Sequence, residues 1–157
     1  MRGIRMLLSS LAVLLLLLFL FSLLFSSTAK MQRAGVINTT PEVVFEQLAD
    51  TANWKHWYPW PVSQDPQHGR LVLKEVVADS LVTYEVLSTD ERLNLKGSIY
   101  LSYDGNNTTI NWSISRHVGV LPWWKVRGLL MDKIYGPVME QGLTDLKKVS
   151  EASAAIK

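Results

Sequence analysis

Cysteine is missing altogether from the 157 residues. That excludes disulfides, thiolate nucleophiles and thiolate metal sites, and leaves the redox compartment open. Histidine is scarce. His56, His68 and His117 share no ligand spacing and have no paired carboxylate, so no metal site is expected. An excess of one charge is lacking too: 16 Lys and Arg stand against 14 Asp and Glu, a net +2. With no basic stripe interleaved with aromatics, nucleic acid is not an expected partner. No Gly-rich phosphate loop, Gly-x-Ser-x-Gly elbow or kinase signature occurs. The paired carboxylates Asp90-Glu91 fall in a turn between strand-like runs, where solvated charge is the ordinary role. No catalytic residue and no cofactor are assigned. Asn38, Asn107 and Asn111 open Asn-x-Ser/Thr triplets, which are glycan acceptors only in a eukaryotic secretory pathway.

What the chain does have is apolar content, 48% of it, enough for one domain plus an appendage. The appendage comes first. Met6 to Phe25 is nearly all Leu, Phe, Val and Ala, broken only by Ser9, Ser10 and Ser22. At ~1.5 Å per residue this run reaches ~30 Å, the thickness of a bilayer core. Arg2 and Arg5 precede it and favour a cytoplasmic N-terminus, although Lys30 and Arg33 on the far side oppose that bias. Ser27-Thr28-Ala29 would also pass as a cleavage site, which makes a secretory signal peptide the rival reading. Such peptides usually carry a shorter core of ~7–15 residues. The expectation is therefore a single-pass transmembrane anchor and short tether over residues 1–30. The partner is the lipid bilayer, and under both readings the globular part lies on the extracytoplasmic side.

A capped helical stretch follows. Thr40 stands at the N-cap, Pro41 at the first helical position and Glu42 in the first turn. Val44, Phe45 and Leu48 give one apolar face, and Asp50 opens a second short helix carrying Trp54 and Trp57 before Tyr58-Pro59-Trp60. The pattern Ile-Asn-x-x-Pro-Glu-x-Val-Phe-x-x-Leu-x-Asp-x-x-x-Trp-x-x-Trp-x-Pro-Trp over residues 37–60 resembles the opening of the SRPBCC (START/Bet v 1-like) superfamily, polyketide cyclase/dehydrase type. Gly136-Pro137-Val138-Met139-Glu140-Gln141-Gly142-Leu143-Thr144-Asp145-Leu146-Lys147-Lys148 is similar to that family's closing helix. The resemblance implies an α+β helix-grip fold, with a curved antiparallel sheet wrapped on a long C-terminal helix and a hydrophobic cavity between them. Trp54 and Trp57 are expected to be structural.

Strand-like runs fill the interval. Met31 to Ile37 reads as a first strand, and a turn-rich passage spans Pro61 to Gly69. Four more runs follow: Leu71–Val77, Leu81–Ser88, Leu93–Tyr103 and Thr108–His117, with Asp104-Gly105-Asn106-Asn107 as a hairpin turn. Leu93, Leu95, Gly97, Ile99 and Leu101 share one face, as do Ile110, Trp112 and Ile114. A sheet dry on one face needs a cover. The cover is a helix from about Val126 to Ser150, with a stripe of Tyr135, Met139, Gly142, Leu143, Leu146 and Val149, broadened by Leu130, Ile134 and Val138. Pro137 should kink or divide it. Relatives often carry an extra strand pair where this chain has only Pro61 to Gly69, so about five to six strands are expected. The domain spans 31–152, and 153–157 is read as a disordered tail.

The expected function is binding of a hydrophobic small molecule or lipid. Its cavity candidates are Tyr84, Leu95, Ile99, Trp112, Ile114, Arg116, Tyr135, Met139 and Gly142. Arg116 falls in register with the dry face: it either meets an acidic partner there or snorkels to water. Trp123, Trp124, Lys125 and Arg127 form a candidate membrane-interface wedge, with an ordinary packed loop as the other reading. Two alternatives stand beside binding: a polyketide cyclase/dehydrase-like enzyme, for which Arg116 and Tyr84 are the internal candidates, and a filled-core interaction module.

Overall fold

A computed structural model of the chain describes residues 2–24, 26–61, 69–90, 94–119 and 121–156, and excludes the side chains of residues 2, 5, 22, 23, 122, 124, 126, 127 and 129. His68, Glu91 and Leu93, and the side chains of Trp124 and Arg127, thus lie outside the described residues.

The elements run α1 (Arg2–Leu23), β1 (Thr28–Ile37), α2 (Pro41–Ala49), α3 (Thr51–Trp54), β2 (Arg70–Val77), β3 (Leu81–Leu87), β4 (Leu95–Tyr103), β5 (Thr108–His117) and α4 (Pro122–Ile156). The strands form one five-stranded antiparallel sheet in the order β1-β5-β4-β3-β2. This is the lower of the expected strand numbers. Hairpins join β2 through β5 in sequence order, and β1 closes the far edge on β5, so α4 can lie across the concave face.

Register divides that face into rows. The outermost is Leu71–Val86–Leu95–Arg116–Ala29. Next comes Leu73–Tyr84–Gly97–Ile114–Met31, then Val82–Ile99–Trp112–Arg33, then Leu101–Ile110–Gly35. Side chains of alternate residues point to one face, which is why the dry positions read from the sequence coincide with Ile99, Leu101, Ile110, Trp112 and Ile114, all buried.

Helix α4 covers these rows with Met131, Met139, Leu143 and Leu146. Two corrections concern its surface. Leu130 and Ile134 are exposed rather than part of the stripe, because Met131 and Tyr135, one position on, are the residues that face the sheet. Pro137 does not divide the helix; it sits on the solvent side, where water can satisfy the carbonyl it deprives of a donor. The helix also runs on through Ile156, past the expected end at Ser150 and into the segment read as a tail. Glu151 gives this last part an anchor, accepting from Asn38 N (3.0 Å) and Asn38 Nδ2 (2.9 Å). Thr40 occupies the N-cap of α2 without a side-chain cap bond, its hydroxyl bonding the Glu42 carboxylate instead. Asp50 does cap α3, accepting from Ala52 N at 2.8 Å.

Arg33 fastens α4 to the edge strand. Its guanidinium meets both Asp132 oxygens (2.9 and 3.2 Å) and donates from Nε to Glu140 Oε1 at 2.8 Å. Asp132, Gly136 and Glu140 stand one turn apart on one face of the helix, and the arginine lies across Gly136, where a Cβ would collide with it. The Asp132 carboxyl is held below its ordinary value of 3.8, chiefly by the hydrogen bond from Arg33. A depressed carboxyl stabilises the fold above its ordinary pKa and loses that contribution as pH falls through the folded value. Arg33→Ala should therefore lower the melting temperature at pH 7, and the gap to wild type should narrow as the pH falls below 3.8. Thermal melts of both proteins at pH 7 and along a descending acid series check this.

Helix α1 forms as expected but stands apart in character. Every described side chain from Met6 to Phe21 is exposed, although nearly all are apolar. Among the described residues no helix is long and apolar enough to cross a membrane.

Candidate functional site

Most of the concave face is filled. Trp54 and Trp57, delivered by α3 and the turn after it, pack with Tyr58, Tyr84 and Trp112 at centroid distances of 4.8–5.9 Å. All five rings are buried, which agrees with a structural role for Trp54 and Trp57. Their polar tips are satisfied. Trp54 Nε1 donates to Leu48 O at 2.9 Å and Trp112 Nε1 to Tyr84 Oη at 2.8 Å, while the Tyr58 and Tyr84 hydroxyls bond each other. Burial pushes both phenols well above the usual tyrosine pKa of 10, so neither can serve as a base near neutral pH. Gly97 makes the arrangement possible: the Tyr84 ring occupies the place its Cβ would take.

The space left lies at one end of the sheet, beneath the outermost row. It is a cavity of about 220 Å³. Leu71, Val86, Leu95 and Arg116 form the floor, Ile114 and Met31 the inner edge, Met131 and Tyr135 the roof from α4, and Tyr58, Trp60, Pro61 and Gly69 the side. Typical ligand sites span ~300–1,000 Å³, so this one suits a single short chain or ring. A larger cleft of about 530 Å³ runs between Lys55–Pro59 and Pro137, Val138, Gln141 and Asp145. It is a shallow solvent-open groove with mixed polar walls, and enclosure rather than size makes the smaller void the candidate.

The cavity thus brings together Leu95, Ile114, Arg116 and Tyr135 of the expected residues. Tyr84, Ile99, Trp112 and Met139 are packed into the core instead. Gly142 faces Pro59 and Trp112 rather than the void. Met31, Trp60, Leu71, Val86 and Met131 were not singled out in the sequence; cross-strand register with Arg116 and Ile114 is the signal that locates the strand residues among them. Arg116 is half-buried and donates from a terminal guanidinium nitrogen to Tyr135 Oη at 3.5 Å. It neither lies deep in the core nor extends wholly into solvent.

Of the membrane-interface candidates, Trp123 is 62% exposed. Lys125 departs from expectation in being buried. Among the described residues no group of His, Asp and Glu could hold a metal ion.

No family sequence model and no curated protein sequence matches the chain. Solved structures do match in fold. A protein of unknown function from Staphylococcus aureus superposes with TM-score 0.64 at 12% identity, covering 82% of this chain and 96% of that one. The di-domain ARO/CYC protein StfQ of the steffimycin biosynthetic pathway gives 0.56 at 11% identity over 82% of this chain and 52% of its own. The di-domain ARO/CYC protein BexL of the BE-7585A pathway gives 0.57 at 15% identity over 78% and 46%. At such identities the likeness is one of fold alone, and in this chain that fold is a curved five-stranded antiparallel sheet with a long C-terminal helix across it.

Proposed function

We propose that this chain is a membrane-anchored binding protein for a hydrophobic small molecule or lipid, belonging to the SRPBCC superfamily. The observation that carries the binding role is the partly enclosed apolar void between the outer sheet row and α4. A well-packed core of this size leaves few voids larger than a water molecule, and this one is walled by Leu, Val, Ile and Met side chains. The fold is shared with ARO/CYC proteins of biosynthetic pathways. No general base is assigned to the cavity: the lining phenol of Tyr58 holds its proton because it is buried, and binding without catalysis is the simpler reading.

Anchoring rests on α1. A helix apolar on all sides and exposed along its length needs a nonaqueous surrounding. The apolar run of the sequence itself, Met6 to Phe25, matches a bilayer core at ~30 Å. Only residues 24–27 separate α1 from β1, which holds the sheet within a few residues' reach of the lipid surface. Exposed Trp123 beside Leu121 at the start of α4 fits the headgroup boundary. The globular part is then extracytoplasmic, in keeping with Arg2 and Arg5 ahead of the run.

Filling the void tests the binding role. Leu95→Trp places an indole in the cavity with little change to the core. The wild-type full chain, released from detergent micelles in native mass spectrometry, should carry a hydrophobic adduct, and Leu95→Trp should lose it while melting at about the same temperature. Equal adducts on both proteins, or none on either, would remove the proposal.

A further inference from the structure

Helix α4 is apolar on two sides. Met131, Met139, Leu143 and Leu146 are buried on the sheet. Trp123, Leu130 and Ile134 are each more than half exposed. At about 100° per residue, steps of seven and four bring these three within roughly 40° of one another, on a side largely opposite the buried set. Past Pro137 the same arc continues as Gln141, Asp145 and Lys148, which bond to one another through the Asp145 carboxylate (2.9 and 3.2 Å). The apolar stripe thus gives way to polar residues at mid-helix. Charge divides in the same way. The one carboxylate between Pro122 and Pro137 is Asp132, and Arg33 holds it, while Lys133 stands exposed beside the stripe. Glu140, Asp145 and Glu151 all lie beyond Pro137.

The apolar half is also the half that adjoins α1. Only residues 24–27 lead from α1 to β1, and only residues 118–121 lead from β5 to α4. The two connections are pinned together: Thr28 pairs with His117, and Val118 N donates to Ser27 O at 2.9 Å. Helices α1 and α4 touch each other. We infer that the first half of α4 is a second membrane contact, lying along the headgroup region of an anionic bilayer with Trp123, Leu130 and Ile134 dipped into it and Lys133 beside them. This rests on α1 as the anchor proposed above and goes beyond it: α1 holds the domain near lipid, and the stripe sets which side of the domain faces it. A standard protein interface uses ~20–30 residues a side, more than this stripe supplies. A tethered helix needs far less, because the anchor makes docking an intramolecular event.

The lack of native cysteine makes the test direct. Leu130→Cys, Ile134→Cys and Lys148→Cys of the full chain would each be labelled with the environment-sensitive dye NBD and reconstituted in vesicles of phosphatidylcholine, alone or mixed with phosphatidylglycerol. All three positions are exposed, so the labels leave the core untouched. The dye at 130 and 134 should emit brighter and further to the blue in the mixed vesicles, and lipids carrying a doxyl group just below the headgroup should quench it. The dye at 148 should stay in water. A cation at an anionic surface is worth about fivefold in binding, so Lys133→Gln should lower the ratio of docked to undocked chain by about that factor in the mixed vesicles. Aqueous emission at 130 and 134 in a chain that floats with the vesicles would overturn the inference and leave the anchor standing. Apolar emission without doxyl quenching would also overturn it, and would place a second copy of the chain on the stripe. An unchanged ratio in Lys133→Gln would contradict the preference for anionic lipid. A chain that does not float with the vesicles would overturn the anchor and the inference together.

Discussion

Replacing Trp112 by alanine should destabilise the fold by about 3–5 kcal/mol, the usual cost of truncating a fully buried large aromatic. Trp112 is wholly buried in the middle of β5, with Trp57, Tyr58 and Trp60 at centroid distances of 5.8, 5.9 and 5.9 Å. Its removal opens a hole under α4 that the rigid sheet cannot collapse to fill. It also takes away the donor to Tyr84 Oη, in a place where burial already keeps that phenol from ionising. For a domain of this size the melting temperature should fall by roughly 10 °C or more. Trp112→Phe should cost less, because most of the ring contacts persist. Thermal melts followed by near-ultraviolet circular dichroism check both. A fall of only a degree or two in Trp112→Ala would mean that the aromatic cluster is not the keystone described here.

The second large effect concerns α1. Leu14→Arg combined with Leu18→Arg puts two charges on one face at the centre of the apolar run. Each charge at mid-membrane costs about 2.5–3.5 kcal/mol on insertion scales. The full chain should consequently shift from the carbonate-resistant membrane pellet to the soluble or aggregated fraction, whereas Leu14→Val with Leu18→Val should stay in the pellet. A double-arginine variant that remains membrane-bound would exclude α1 as the anchor and would direct attention to Trp123 and its surroundings.

Local patterns in the sequence placed most of the fold. Alternation in β4 and β5 marked the buried face because a pleated strand has no other way to divide its side chains. Pro41 and Asp50 marked the starts of α2 and α3, and the two motifs bracketed the domain. What escaped depends on how distant segments meet. Leu130 and Ile134 read as broadening the buried stripe by spacing, but they are exposed, and Met131 joins Tyr135 on the inward face. Arg33 looked like a flanking membrane charge until α4 brought Asp132 and Glu140 to either side of it. The expected cavity reached from Leu95, Ile114, Arg116 and Tyr135, which do line the void, to Tyr84, Ile99, Trp112, Met139 and Gly142, which do not. Bulk decided otherwise: Trp54, Trp57 and Tyr58 fold back from α3 and fill the middle of the sheet, and the void lies under the outer row. Arg116 and Tyr135 could be named in advance, yet their pairing across the void could not, since one lies on β5 and the other on α4.

The central claim is that a ligand sits between the outer sheet row and α4, and photolabelling reads that position directly. The full chain would be incubated with a single-chain amphiphile carrying a diazirine near the end of its chain, irradiated, digested and sequenced by mass spectrometry. Labels should fall on the lining of the void, at Met31, Leu71, Ile114 or Met131. They should vanish in Leu95→Trp. Labels confined to α1 or to the solvent face of the sheet, and unaffected by that substitution, would contradict the account.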